Sequence, residues 1–138
     1  MKLRLTIALL ITIPIFVASF FVRANTEPSF IEPVQVMTTA YTSGVNGTGT
    51  IMANGREVYE GAIAGKSEWI GKVAYIYKDN DGKIGEWLGC FEFCDTGGTK
   101  GLQNGSVIDV YRNDYDRCVE WMADTKGKVW IQIFDARG

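Results

Sequence analysis

With 138 residues the chain has room for one domain, and 14 basic against 16 acidic side chains leave a formal charge of −2, a balance that speaks against the clustered Lys and Arg of a nucleic-acid-binding face. Histidine is absent, which removes Ser-His-Asp hydrolysis, Cys-His peptidase chemistry and His-ligated zinc sites together, because each needs an imidazole as base, acid or ligand. Proton transfer near neutral pH then falls to carboxylates, with Tyr, Lys or Thr in support, and cleavage of a glycosidic bond is a reaction that carboxylates alone can perform.

The N-terminus reads as a targeting segment, residues 1–24. Lys2 and Arg4 precede an uncharged run from Leu5 to Val22, broken only by Pro14, the pattern of a secretory leader. Val22-Arg23-Ala24 suits cleavage after Ala24, yet residues 5–22 also match the roughly 18 to 20 apolar residues that cross a bilayer, so a retained anchor competes with a cleaved signal. In both cases the positive flank stays inside and Asn25 onward lies outside, extracellular or in the cell wall. Loss of residues 1–24 removes Lys2, Arg4 and Arg23 and no acid, taking the charge three lower, from −2 to −5. The expected partner is therefore not a nucleic acid, and membrane contact is expected only through that anchor.

Residues 25–34, with Pro28 and Pro33, read as a tether. From residue 35 to 138 the texture is that of an all-β domain. Val34 to Tyr41, Val73 to Tyr77, Glu86 to Phe93, Val107 to Tyr111 and Val129 to Phe134 alternate and are rich in β-branched and aromatic residues, giving five predicted strands. Glycine and asparagine clusters separate them, including Gly97 to Gly105. Asp79-Asn80-Asp81-Gly82 begins like a calcium loop but lacks the Glu twelve positions in, and Asp-Gly between two strands is a hairpin signal. Tyr115 to Met122 is the one predicted helix, with Val119 and Met122 on one side. Short strands with many turns imply a small β-barrel or sandwich, expected to be a monomer.

Cys90, Cys94 and Cys118 all fall in the exported part, where an oxidising compartment favours one disulfide and one thiol. Cys90 and Cys94 are four apart on one predicted strand, too far to pair with each other, which makes Cys118 an expected partner; three buried thiols are the alternative. Without histidine, C-x3-C and a distant Cys do not form a zinc pattern. Neither metal nor other cofactor is expected.

Several blocks in order carry a resemblance: Met37-Thr38-Thr39-Ala40-Tyr41-Thr42; Gly49-Thr50; Ala53-Asn54-Gly55-Arg56-Glu57-Val58; Gly61-Ala62-Ile63-Ala64; Phe91-Glu92-Phe93-Cys94-Asp95-Thr96-Gly97-Gly98-Thr99-Lys100-Gly101; and Ser106-Val107-Ile108-Asp109-Val110-Tyr111. Over residues 35 to 135 this resembles the three-aspartate (3D) domain of membrane-bound lytic transglycosylase A and of wall-active proteins. The resemblance implies a double-psi β-barrel with one short helix before the last strand, and a lytic transglycosylase cleaving the bond between N-acetylmuramic acid and N-acetylglucosamine in peptidoglycan glycan strands. Lys66 stands where the family carries its first aspartate, and Leu102-Gln103-Asn104 lengthens the spacing between the other two.

Asp109, between Ile108 and Val110, is the expected general acid and base, with strand neighbours to desolvate it. Asp95 opens a glycine turn and is expected to orient substrate or hold up the pKa of Asp109; closing the strand as an Asx-turn is the alternative. Gly97 and Gly98 would allow a backbone path open to glycine and the close approach of a sugar. Thr96 and Lys100 would bind N-acetyl or lactyl groups, and Thr39 and Tyr41 would line the sugar groove. Trp69, Trp87, Trp121 and Trp130 suit stacking on pyranose faces, though most such residues pack in or against a core. A non-catalytic wall-binding or remodelling module on the same barrel is the second reading, favoured by Lys66, and a barrel that binds only a protein partner is the third.

Overall fold

A computed structural model describes residues 32–44 and 49–136. The expected leader and most of the expected tether lie outside the described residues, and no helix among those described is long and apolar enough to cross a membrane.

Alternation sets the architecture. In β1 (Val34–Tyr41) Val36 and Thr38 point inward and Met37 and Thr39 outward, and in β6 (Lys128–Asp135) Val129, Ile131 and Ile133 are buried while their neighbours are not. Such period-two strands bury one face, and a closed barrel gives that face an interior without leaving a free edge. Six strands close in the order β1-β5-β2-β4-β3-β6, so the expected small all-β barrel is met. Two pairs are parallel, β1 with β5 (Val107–Tyr111) and β2 (Ala62–Ala64) with β4 (Lys83–Asp95); the other contacts are antiparallel. Two parallel pairs within one small barrel require crossover connections.

The interior holds Val36, Ile63, Ala74, Ile76, Phe91, Phe93, Ile108, Val110, Val129, Ile131 and Ile133, closed at one end by Trp121. Trp121 reaches it from α2 (Tyr115–Thr125) and donates its indole N–H to the buried Thr38 hydroxyl at 3.0 Å, which satisfies both polar atoms inside an apolar volume. Asp114 caps α2 by accepting from the Arg117 N–H at 2.9 Å.

Five strands and the helix were predicted; the sixth strand and a second helix were not. Strand β2 has three residues and no alternation to read. The glycine-rich stretch expected as a turn contains α1 (Lys100–Asn104). Strands β3 (Lys72–Asn80) and β4 run longer than predicted because the Asp81-Gly82 turn, with φ of +50° and +81°, continues their hairpin to its tip. On α2, Cys118, Trp121 and Thr125 are buried, whereas Val119 and Met122 are exposed.

The expected disulfide is not present, and all three cysteines are free thiols, Cys90 exposed and Cys94 and Cys118 buried. Cys94 faces an outer cluster on β4 and Cys118 faces β1 from α2, so neither meets the other. Native protein should therefore take up one equivalent of a thiol reagent, at Cys90, and denatured protein three; a two-dalton mass deficit under non-reducing conditions would contradict this.

Candidate active site

The two aspartates reach one surface through the strand register. On the outside of the barrel Asp109 of β5 is paired with Thr39 of β1 on one side and with Ala64 of β2 on the other, and Ala64 is paired in turn with Asp95 of β4. Thr39, Asp109, Ala64 and Asp95 thus form one row across four neighbouring strands. With strands spaced about 4.8 Å apart, the two aspartates are separated at the backbone by roughly 10 Å.

Asp95 belongs to this row because of a register shift between Ile63 and Ala64. Phe91 and Phe93 point into the barrel, so strict alternation would send Asp95 inward as well. Ile63 pairs with Phe93 but Ala64 with Asp95, leaving Cys94 as the extra residue and turning Asp95 to the outer face. Bulges re-aim side chains in this way, often beside functional sites. The Asp95 Oδ1 accepts from the backbone N–H of Ala53 and of Thr96, both at 2.9 Å, so the carboxylate also holds the segment around Ala53 against the end of β4.

Burial pushes the Asp109 carboxyl above the usual carboxylate range; the Thr39 hydroxyl, donating to its Oδ1 at 2.8 Å, opposes the shift, and the negative charge of Asp95 adds to it. Because Oδ1 already accepts from Thr39, the carboxyl proton is directed to Oδ2. Tyr41 packs its ring edge-on against Tyr111 with centroids 5.5 Å apart, beside Met52, Ala62 and Cys94. Its buried hydroxyl has no hydrogen-bond partner among the described residues, and burial, then Asp95 and Asp109, hold its pKa far above the usual phenol value. Tyr41 is therefore half in a small outer core and half toward the carboxylates.

Other expectations are redistributed. Neither Gly97 nor Gly98 adopts positive φ. A Cβ at Gly97 would stand 2.5 Å from Leu102 Cδ1, so glycine there makes room for α1, whereas Gly98 opens to solvent. Gly101 of α1 sits against Val107, two residues before Asp109 on the same face, so α1 forms one wall of the site and brings exposed Lys100 with it. The backbone N–H of Thr96 donates to Asp95. Lys66 extends to Glu68 at 2.9 Å and is not among the groups that shift Asp109. Trp121 is buried, and Trp69 packs on Phe93 at 5.1 Å, so these two tryptophans are structural.

Sequence reasoning missed Ala64, whose small side chain separates the two aspartates, and the outer group in which Tyr59 donates to Glu92, Arg56 lies 3.2 Å from Glu92, and the Tyr59 hydroxyl meets Cys94 Sγ at 3.1 Å. This group ties residues 56 to 59 to β4. No local pattern marks it. A groove of about 670 Å³ elsewhere, lined by Leu88, Phe91, Arg112, Glu120 and Trp121, contains Trp121 alone of the expected residues. No cluster suited to a metal ion occurs among the described residues.

The opposed effects on Asp109 give a paired test. Thr39→Val removes a bond that favours the anion and should move the alkaline limb of any Asp109-dependent activity to higher pH, while Asp95→Asn removes a charge that disfavours the anion and should move it lower. Activity-versus-pH profiles that coincide for all three proteins would contradict this arrangement. Compared with family models, curated proteins and solved structures, the chain matches none.

Proposed function

We propose that the protein is a peptidoglycan lytic transglycosylase in which Asp109 is the single acid and base. The observation that carries this reading is the half-buried Asp109 carboxyl, raised in pKa and fixed by Thr39 in one row with Asp95. Protonated Asp109 donates its Oδ2 proton to the oxygen leaving C1 of N-acetylmuramic acid as an oxocarbenium-like centre forms. The 6-hydroxyl of the same sugar then attacks C1, and the Asp109 carboxylate accepts its proton, yielding a 1,6-anhydro product and restoring the acid. No water enters and no second nucleophile is required. Asp95 keeps the Asp109 proton available at higher pH and holds the segment around Ala53; Tyr41 and Lys100 would contact the sugar.

The second reading, a wall-binding module that does not cut, is favoured by Asp95 being occupied with two backbone N–H groups and by Lys66 in place of an acid. Incubating the protein with purified sacculi and analysing the soluble fraction by mass spectrometry separates the two. Anhydro-muropeptides are expected; intact sacculi with protein bound would decide for the module.

A further inference from the structure

On the side of the barrel away from the carboxylates, a second row crosses four strands. Gln35 of β1 pairs with Trp130 of β6, Trp130 with Tyr77 of β3, and Tyr77 with Trp87 of β4. In the next row outward-facing Tyr75 lies between Gln132 and Cys90, and Tyr75 touches Phe134 and Trp87 at centroid distances of 4.7 and 6.4 Å. Trp87 is 57% exposed, Ile84 48% and Tyr75 39%. A contiguous, partly exposed aromatic face of this kind marks a contact surface.

Two observations identify what it meets. The first is where the rest of the chain leaves: β1 starts at Val34, next to Gln35 in the aromatic row, and Asp79 fastens the two together by accepting from Gln35 at 2.7 Å and from the Trp130 indole at 2.8 Å. Residues 25–33 reach at most roughly 30 Å, so the apolar run Leu5 to Val22 stays within that reach of the start of β1, beside this face. The second is ring geometry. Tyr75 stands at 81° to Trp87 and 54° to Phe134, so the rings do not make the coplanar row on which a glycan lies, whereas mixed Trp and Tyr orientations suit the headgroup level of a bilayer, where the ring bodies are apolar and the N–H and O–H are satisfied.

We propose that this outer face of β4, β3 and β6 rests on the lipid bilayer entered by the chain's own N-terminal apolar run, and so turns the Asp95–Asp109 row away from the membrane. The contact is independent of the glycan chemistry proposed above, and its test reads location rather than activity. Cys90 is the exposed thiol at the centre of the face. The full-length chain, apolar run retained, is reconstituted in phosphatidylglycerol/phosphatidylethanolamine vesicles with a nitroxide on Cys90, and collision with aqueous nickel reagent and with oxygen is measured. A nitroxide on Lys100→Cys in a Cys90→Ser background reports the opposite side. The Cys90 label should be about fivefold or more less accessible to nickel than the Lys100 position, and richer in oxygen collisions, as for groups a few ångströms into the interface. Trp87→Ser with Tyr75→Ser should return the Cys90 label to water. Equal nickel accessibility at the two positions would overturn the proposal, as would a Cys90 label that stays shielded after both rings are removed, or one shielded by lipid-free sacculi instead of vesicles.

Discussion

Asp109→Asn should lower the release of anhydro-muropeptides from sacculi by on the order of a hundredfold to ten-thousandfold, the usual weight of general acid catalysis, while co-sedimentation with sacculi stays within a few fold of the parent. The substitution keeps the shape of the side chain and an oxygen to accept from Thr39 at the position where that hydroxyl now stands 2.8 Å away, but it has no proton to deliver to a leaving oxygen. Asp95→Asn should cost less at its own pH optimum, because the amide oxygen can still accept from Ala53 and Thr96 and Asp109 remains to donate. Stability supplies a second readout. A carboxyl whose folded pKa is raised binds its proton more tightly in the native state, so native stability falls as pH rises from the unfolded value through the folded one. Asp109→Asn removes that penalty and should raise the thermal midpoint at pH 7, with the difference shrinking below the carboxylate range. A variant that releases product as fast as the parent would remove Asp109 from the chemistry.

Phe93→Ala should destabilise the protein by about 3–5 kcal/mol, the range for deleting a buried phenylalanine ring. The side chain is completely buried and touches Trp69. A Cβ at Gly65 would stand 2.6 Å from its ring, which leaves β2 lying directly on it. With total stability for a domain of this size near 5–15 kcal/mol, the urea midpoint should drop by roughly 2 M. A drop below half of that would mean that β2 collapses onto the vacated space. Because β2 positions Ala64 between the two aspartates, the surviving folded fraction should also show a broadened activity profile.

What the sequence made legible follows from the range of the forces involved. Strands β1 and β5 were predicted with their observed limits, because Val36 and Thr38 or Ile108 and Val110 alternate with outward residues, and alternation is a local signal. The Asp81-Gly82 hairpin is equally local. Strand β2 escaped prediction since Ala62-Ile63-Ala64 is buried on both faces, inside by the barrel and outside by Met52, Cys94 and Tyr111, so no alternation exists to read. The short helix α1 depends on Leu102 filling the space that Gly97 leaves, a tertiary effect. Asp95 and Asp109 were nominated as a pair from resemblance and residue type, but their common row depends on the register shift at Ile63/Ala64, which no window of sequence contains. The expected disulfide is absent because Cys94 is buried beside Met52, Ala62 and Tyr111 while Cys118 is buried on α2, a separation that residue counts do not show.

The position of β1 in the barrel has a consequence for how the chain acquires its fold. Its hydrogen-bonding neighbours are β5 and β6 alone, so Val34 must find Ile131 and Thr39 must find Asp109 across most of the sequence. Nothing made early in synthesis can seat it. Closing loops of that length before any contact rewards them slows folding, and the barrel stays open until its last strand has emerged. Seating β1, and with it closure of the barrel, is therefore a step that waits for the C-terminal strand.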